Sequence, residues 1–218
     1  MSDVVLQELR EYASTTRLED LLNVYCALSR IRHQPADAAY LFAQTADDEE
    51  SVFEGARELQ QRGLADKFLI TDARNWGFQG PEPWTAKLRA YFGDNVYVVP
   101  SADPDKLNTL TEANALMQFA KKENLQSVYL LAPPFHIIRA FMTAVTSCLR
   151  TTPDFRLYPY EGAELDWNMN GVHSQRLKKD TRLEHLRLEI KKIRKYQITL
   201  DIMPAKFILE YAEALPQR

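Results

Sequence analysis

Five short stretches of the chain are apolar almost throughout: Ala38–Gln44, Lys67–Asp72, Val96–Ser101, Ser127–Ala132 and Phe155–Tyr160. Their centres (YLF, FLI, VYVV, VYLL) lack the in–out alternation of a half-buried strand. They match strands covered on both faces, as in a parallel sheet. Between them lie helix-like stretches at Glu49–Arg62, Pro83–Phe92, Thr109–Glu123 and Phe135–Arg150. In the first, Val52, Ala56, Leu59 and Leu64 recur at helical spacing, and Gly63 stands where a C-cap belongs. In the third, Leu110, Ala113, Met117 and Ala120 do the same. Strands alternating with helices of 10–16 residues predict right-handed βαβ units and a doubly wound α/β fold. Its sheet should be mainly parallel, with about five strands.

Helices also flank this core. Val4–Arg30 reads as two helices broken near Ser14–Thr16, where Thr16 and Glu19 have capping-box spacing. Ser174–Tyr196 and Pro204–Ala214 read as two more. The expected organisation is an N-terminal helical segment (1–35), an α/β core (36–165) and a C-terminal helical segment packed on it (166–218). Three loops are long enough to carry function: Ala73–Pro83, Ala102–Asn108 and Glu161–His173.

Charge separates along the chain. Residues 1–62 hold 6 basic and 12 acidic side chains, whereas residues 173–196 hold 9 basic and 3 acidic. In the basic segment Leu183, Leu186, Ile190 and Ile193 form an apolar stripe at helical spacing. That stripe predicts a helix docked on the acidic half, with Arg187, Lys191 and Arg194 facing elsewhere. The whole chain has 27 basic and 30 acidic residues, a balance that disfavours a nucleic-acid-coating protein. Two cysteines without paired spacing, Cys26 and Cys148, exclude a disulfide framework and a cysteine zinc site. No window reaches the ~18 apolar residues of a membrane span. The expectation is a soluble cytoplasmic protein with no membrane partner and no metal.

In a doubly wound sheet ligands bind beyond the carboxyl ends of the strands, where the strand order reverses. The residues that follow each strand are therefore the candidates: Gln44 and Thr45, Asp72 and Asn75, Asn108 and Glu112, His136 and Arg139. No GxGxxG or P-loop is present. The acidic run Asp47–Glu50 opens a helix, where the dipole favours carboxylates; as ligands they would attract a cation, an amine or ribose hydroxyls. Asp72 stands where nucleoside-binding folds place an acid against ribose. Thr109 and Glu112 have capping-box spacing. Alternatively, Asn108 orients a ligand at the crevice mouth and Glu112 acts as a base. His136 and Arg139, three apart, share one helix face, with Arg139 suited to a carboxylate or phosphate. Trp76 and Trp167, in long loops, either stack on a ligand or cover the core.

Taken in order, Asn108-Thr109-x-x-Glu112-Ala113, a strand of the type SVYLLAP, and His136-x-x-Arg139-Ala140 resemble the YdcF-like family of unassigned function, which includes SanA-like and ElyC-like envelope proteins. The stretch EGARELQQRGLADKFLITD resembles that family's first helix and second strand. The likeness covers roughly residues 36–165. It implies a Rossmann-like α/β domain whose polar crevice holds a nucleotide-like or S-adenosylmethionine-like ligand, lined by Asn108, Glu112, His136 and Arg139. The chain is a divergent version: Gln44-Thr45-Ala46-Asp47 and Thr71-Asp72-Ala73-Arg74 stand where the family has glycine-rich turns.

The leading expectation is a small-molecule-binding protein acting on a nucleoside-like or other anionic ligand. Glu112 or His136 would handle protons, and Thr45, Asp72, Asn75, Asn108 and Arg139 would bind. Whether it is an enzyme stays open at this level. The rival is a non-catalytic interaction protein docking through its acidic N-terminal half and basic C-terminal helix.

Overall fold

A computed structural model of the 218-residue chain describes residues 17–74, 77–173 and 178–217. The first expected helix, Thr16 of the expected capping box, Asn75 and Trp76 lie outside the described residues. In chain order the elements are α1 (Leu18–Arg30), β1 (Ala38–Leu41), α2 (Glu49–Gln61), β2 (Phe68–Thr71), α3 (Pro81–Phe92), β3 (Val96–Val99), α4 (Thr109–Lys122) and β4 (Ser127–Ala132). They continue with α5 (Ile137–Thr151), β5 (Arg156–Glu161), β6 (Asn170–His173), β7 (Lys178–Thr181), α6 (Arg182–Ile198) and α7 (Ala205–Ala214).

The five apolar runs form one all-parallel sheet in the order β3-β2-β1-β4-β5, a Rossmann-like doubly wound arrangement. Right-handed crossovers put α2 and α3 on one face and α4 and α5 on the other. The central strands β1 and β2 are buried throughout, as their unbroken apolar character requires. The edge strand β3 instead leaves Tyr97 and Val98 exposed. At the opposite edge the Leu157 N–H of β5 donates to Tyr211 Oη of α7 at 2.8 Å, so α7 covers that edge.

Close packing of α2 on the sheet explains two glycines. A Cβ on Gly55 would lie 3.1 Å from Leu131, and one on Gly162 would lie 2.7 Å from the Ser51 carbonyl oxygen. The first strand is shorter than expected: it ends at Leu41, the Phe42 N–H makes a last bond to the Leu131 carbonyl at 3.0 Å, and the chain runs on to Thr45 at the crevice. Helix α3 starts at Pro81 rather than Pro83, behind Gly80 at φ 101°, because proline needs no N–H partner in a first turn.

The C-terminal segment departs most from expectation. Residues expected to be loop and helix pair instead as an antiparallel hairpin, Asn170↔Thr181 to His173↔Lys178, and α6 begins only at Arg182, capped by Thr181. The buried stripe of α6 is only partly the apolar one: Ile193 is in the core and Ile190 packs against it, but most of the inward face is polar. Arg182, His185, Glu189, Ile193 and Gln197 face inward, while Leu183 is 40% exposed. An apolar stripe predicts the inward face only where the surface it meets is apolar. Here α6 lies over a polar crevice.

Candidate functional site

The strand order reverses between β1 and β4, and three helices begin beyond those strand ends: α2 at Asp48, α4 at Asn108 and α5 at His136. Their amino ends converge on a cavity lined by Thr45, Asn108, Glu112, His136, Arg139 and Glu189, among others. Five of the seven residues singled out from sequence are thereby brought together. Asp72 is not among them. Its Oδ1 accepts the Ser101 N–H at 2.7 Å, tying the end of β2 to the loop after β3. Asn75 lies outside the described residues. Trp167 borders a separate apolar groove with Leu21, Leu22 and Ile190.

Glu112 forms the floor. The expected Thr109–Glu112 capping box is replaced by one between Asn108 and Thr111. Asn108 Oδ1 accepts the Leu110 and Thr111 N–H groups at 3.0 and 3.1 Å, and Thr111 Oγ1 accepts the Asn108 N–H at 3.0 Å. Glu112 is freed to turn inward, where its Oε1 accepts the Ala43 N–H at 2.9 Å and the Tyr40 hydroxyl at 3.2 Å. Oε2 has no hydrogen-bond partner among the described residues. Complete burial pushes the carboxyl up to about 8, against the opposing pull of its two donors and of Arg139. Near neutral pH Glu112 therefore carries a proton. With Oε1 saturated as acceptor, that proton sits on Oε2. Beside it the Thr45 hydroxyl is buried with no hydrogen-bond partner, an arrangement that costs stability unless a bound group completes it.

His136 and Arg139 are joined through Thr109. Gln44 Nε2 donates to the Phe42 carbonyl at 3.1 Å and faces His136 Nδ1 at 3.3 Å. The Phe42 carbonyl fixes that amide, so Nδ1 accepts and Nε2 holds the ring proton, 3.3 Å from Thr109 Oγ1. Arg139 Nη1 donates to the same oxygen at 2.6 Å, and Arg139 Nε pairs with Glu189 of α6. Lys192 donates to the other Glu189 oxygen at 2.9 Å.

A second cluster covers part of the top. Arg182 donates to Asp48 Oδ1 at 2.9 Å, to the Asp47 carbonyl at 2.9 Å and to the Asp166 carbonyl at 3.2 Å. The Val172 N–H of the hairpin donates to Asp47 Oδ2 at 2.8 Å. Burial raises the Asp48 carboxyl above its ordinary range, and Arg182 pulls it back. The cation attracted by the acidic run is thus the chain's own Arg182. Glu189 and Arg182 escaped the sequence reading. Their signal was present: both fall on one helical stripe with Ile193, at spacings of seven and four residues.

Beneath this cover lies a cavity of about 30 Å³, space for about two water molecules. A nucleoside or S-adenosylmethionine needs roughly ten times that volume and does not fit inside it. Alongside runs an open groove of about 610 Å³ that shares Asn108, Thr109 and Arg139 with the crevice. Among the described residues no cluster of three or more His, Cys, Asp or Glu side chains could hold a metal ion, and no helix is long and apolar enough to cross a membrane.

Fold and crevice together define a Rossmann-like, doubly wound α/β protein with a small, partly covered polar pocket at its topological switch point. Compared with protein-family models and with curated proteins, the chain matches none.

Proposed function

We propose that the protein binds a small polar molecule at the β1/β4 crevice, and that Glu112 is the group that exchanges protons with it. The observation that carries this reading is the pairing of a buried, protonated carboxyl with an unsatisfied neighbour. Thr45 Oγ1 is buried in this cavity with no hydrogen-bond partner among the described residues, and Glu112, whose Oε1 already serves the Ala43 N–H and the Tyr40 hydroxyl, lines the same cavity with its second oxygen uncommitted. Folded proteins rarely leave such atoms unsatisfied outside functional sites. A proton donor with a value near 8 also suits general acid–base work at neutral pH. His136, held between Gln44 and Thr109, acts as a positioning residue. A divergent YdcF-like origin agrees with the place of Asn108, Glu112, His136 and Arg139, although the cavity favours a smaller group than a nucleoside.

The interaction-protein reading loses part of its basis, because Arg182 and Asp47–Asp48 satisfy one another inside the molecule. We also place the protein in the cytosol, supported by the free thiols of exposed Cys26 and buried Cys148.

Native mass spectrometry of the purified wild type and of Thr45→Val tests the site. An adduct on the wild type that Thr45→Val loses, at unchanged circular dichroism, supports it. An adduct retained equally by Thr45→Val overturns it. So does bare protein in both after incubation with a panel of small carboxylates and phosphates.

A further inference from the structure

The groove beside the crevice has the volume of a small-metabolite site, about 610 Å³, and its shared wall is unusually rich in unused donors. Arg139 spends Nε on Glu189 and Nη1 on Thr109, so among the described residues Nη2 has no partner, although the residue is only 5% exposed. Asn108 spends Oδ1 on capping α4, and its Nδ2 bonds to none of the described residues. Lys106 forms no ion pair with a described residue. Its backbone is nonetheless fixed, its N–H donating to the Asp103 carbonyl at 3.1 Å and its carbonyl accepting from Thr111 Oγ1 at 2.9 Å.

Three donors without acceptors, two of them cationic, therefore border one wall. Glu189 does not cancel that charge, because Lys192 shares it with Arg139. Tyr196 and Asp201 also line the groove, from α6 and the turn after it. The Asp201 carboxylate takes one bond from Thr199 Oγ1 at 2.8 Å and keeps acceptor capacity for a hydroxyl. Donors and an acceptor lining one groove select a ligand with an oxyanion at one end and hydroxyls at the other.

We propose that this groove binds the body of an oxyanion-bearing polyol, a phosphate monoester or carboxylate about the size of a pentose phosphate. Its anion lies on Lys106, Arg139 Nη2 and Asn108 Nδ2, and its hydroxyls meet Asp201 and Tyr196. The inference rests on the crevice reading in one respect: Asn108, Thr109 and Arg139 wall both spaces, so a ligand held here presents its anionic end beside Glu112 and Thr45.

Ribose 5-phosphate, gluconate and ribose serve as probes in calorimetric titrations of wild type, Lys106→Glu, Tyr196→Ala and Thr45→Val. The two anions distinguish a phosphate from a carboxylate, and ribose controls for the charge. At least one anion should bind the wild type below about 1 mM while ribose does not. Lys106→Glu, on an exposed side chain, should weaken it at least tenfold. Tyr196→Ala should weaken it several-fold. Neither anion binding below about 10 mM overturns the proposal, as does equal binding by Lys106→Glu. The outcome also separates the two readings. Affinity sensitive to Thr45→Val but not to Lys106→Glu places the ligand in the crevice alone and overturns the groove. Affinity sensitive to Lys106→Glu but not to Thr45→Val keeps the groove and removes the support for the crevice.

Discussion

Two polar clusters meet the same cavity and differ in how completely they are satisfied. The upper one joins Asp47, Asp48, the Asp166 carbonyl and Val172 around Arg182, and the Asp47, Asp48 and Arg182 side chains each have a fixed partner. The lower one holds Glu112, Thr45, Asn108 and Arg139, each with at least one polar atom that no described residue meets. A closed network of this kind fastens the hairpin and α6 onto the sheet. The open one also ties elements together, through the Asn108 cap and the Glu112 and Arg139 bonds, but its unmet atoms gain nothing for the fold and are explained by something that binds. The contrast teaches where to look for function in a molecule with buried charge on both sides of one pocket.

The comparison breaks first at Arg182. Truncation to alanine leaves Asp48 buried without its cation and frees the start of α6 from the Asp47 carbonyl. Losing one partner of a buried pair costs about 3 kcal/mol or more. Part of that is recovered because Asp48, with its carboxyl already raised, can take up a proton. Urea denaturation of Arg182→Ala should show the largest stability loss among these substitutions, and a loss under about 1 kcal/mol would mean the upper cluster is not a fastening.

Glu112 makes the next prediction, one of slope. Its folded value of about 8 lies above the ordinary 4.5, so the folded state holds a proton that the unfolded chain has released across that interval. Stability should then fall as pH rises between those values, by up to about 1.4 kcal/mol per pH unit, and level off above the folded value. Glu112→Gln keeps the acceptor for Ala43 and Tyr40 and cannot ionise, so it should flatten the slope. Unfolding curves at pH 5.5, 6.5 and 7.5 for both proteins decide it; parallel slopes refute a protonated floor.

How much of this was legible in the sequence depends on what each residue packs against. The five strands were readable because central parallel strands must be apolar on both faces, and Tyr40, Leu69 and Leu130 announce that without help from distant residues. Five site residues were readable because strand ends fix where a doubly wound fold gathers its chemistry. The capping box was misplaced by one residue, since Asn108–Thr111 and Thr109–Glu112 share the same spacing. Only the Ala43 N–H, 69 positions away in the chain, decides between them. The hairpin and the inward stripe of α6 were hidden for a related reason. Arg182, His185 and Glu189 look like surface residues until the polar surface beneath them is known.

Thr45 sharpens the comparison from the other side. Its hydroxyl makes no hydrogen bond, so Thr45→Val removes an unsatisfied buried group at almost constant shape. The fold should gain up to about 1 kcal/mol, while ligand affinity falls. A stabilised protein that no longer binds is the signature of an open cluster. Equal destabilisation with Arg182→Ala would erase the distinction between the two.

The smallest effect belongs to Asp72, which sequence position made a candidate for ribose and which the fold sets away from the crevice. Its Oδ1 accepts one N–H, from Ser101, at 2.7 Å. Asp72→Asn keeps an oxygen for that bond and gives up only its charge assistance, so stability should fall by about 0.5 kcal/mol. Ligand affinity should stay within twofold of wild type by the same titration that reads Lys106→Glu. An acid that contacts ribose would behave in the opposite way, because losing its charge weakens binding and barely alters the fold. A marked loss of affinity in Asp72→Asn would therefore move the binding site toward β2 and away from the two clusters.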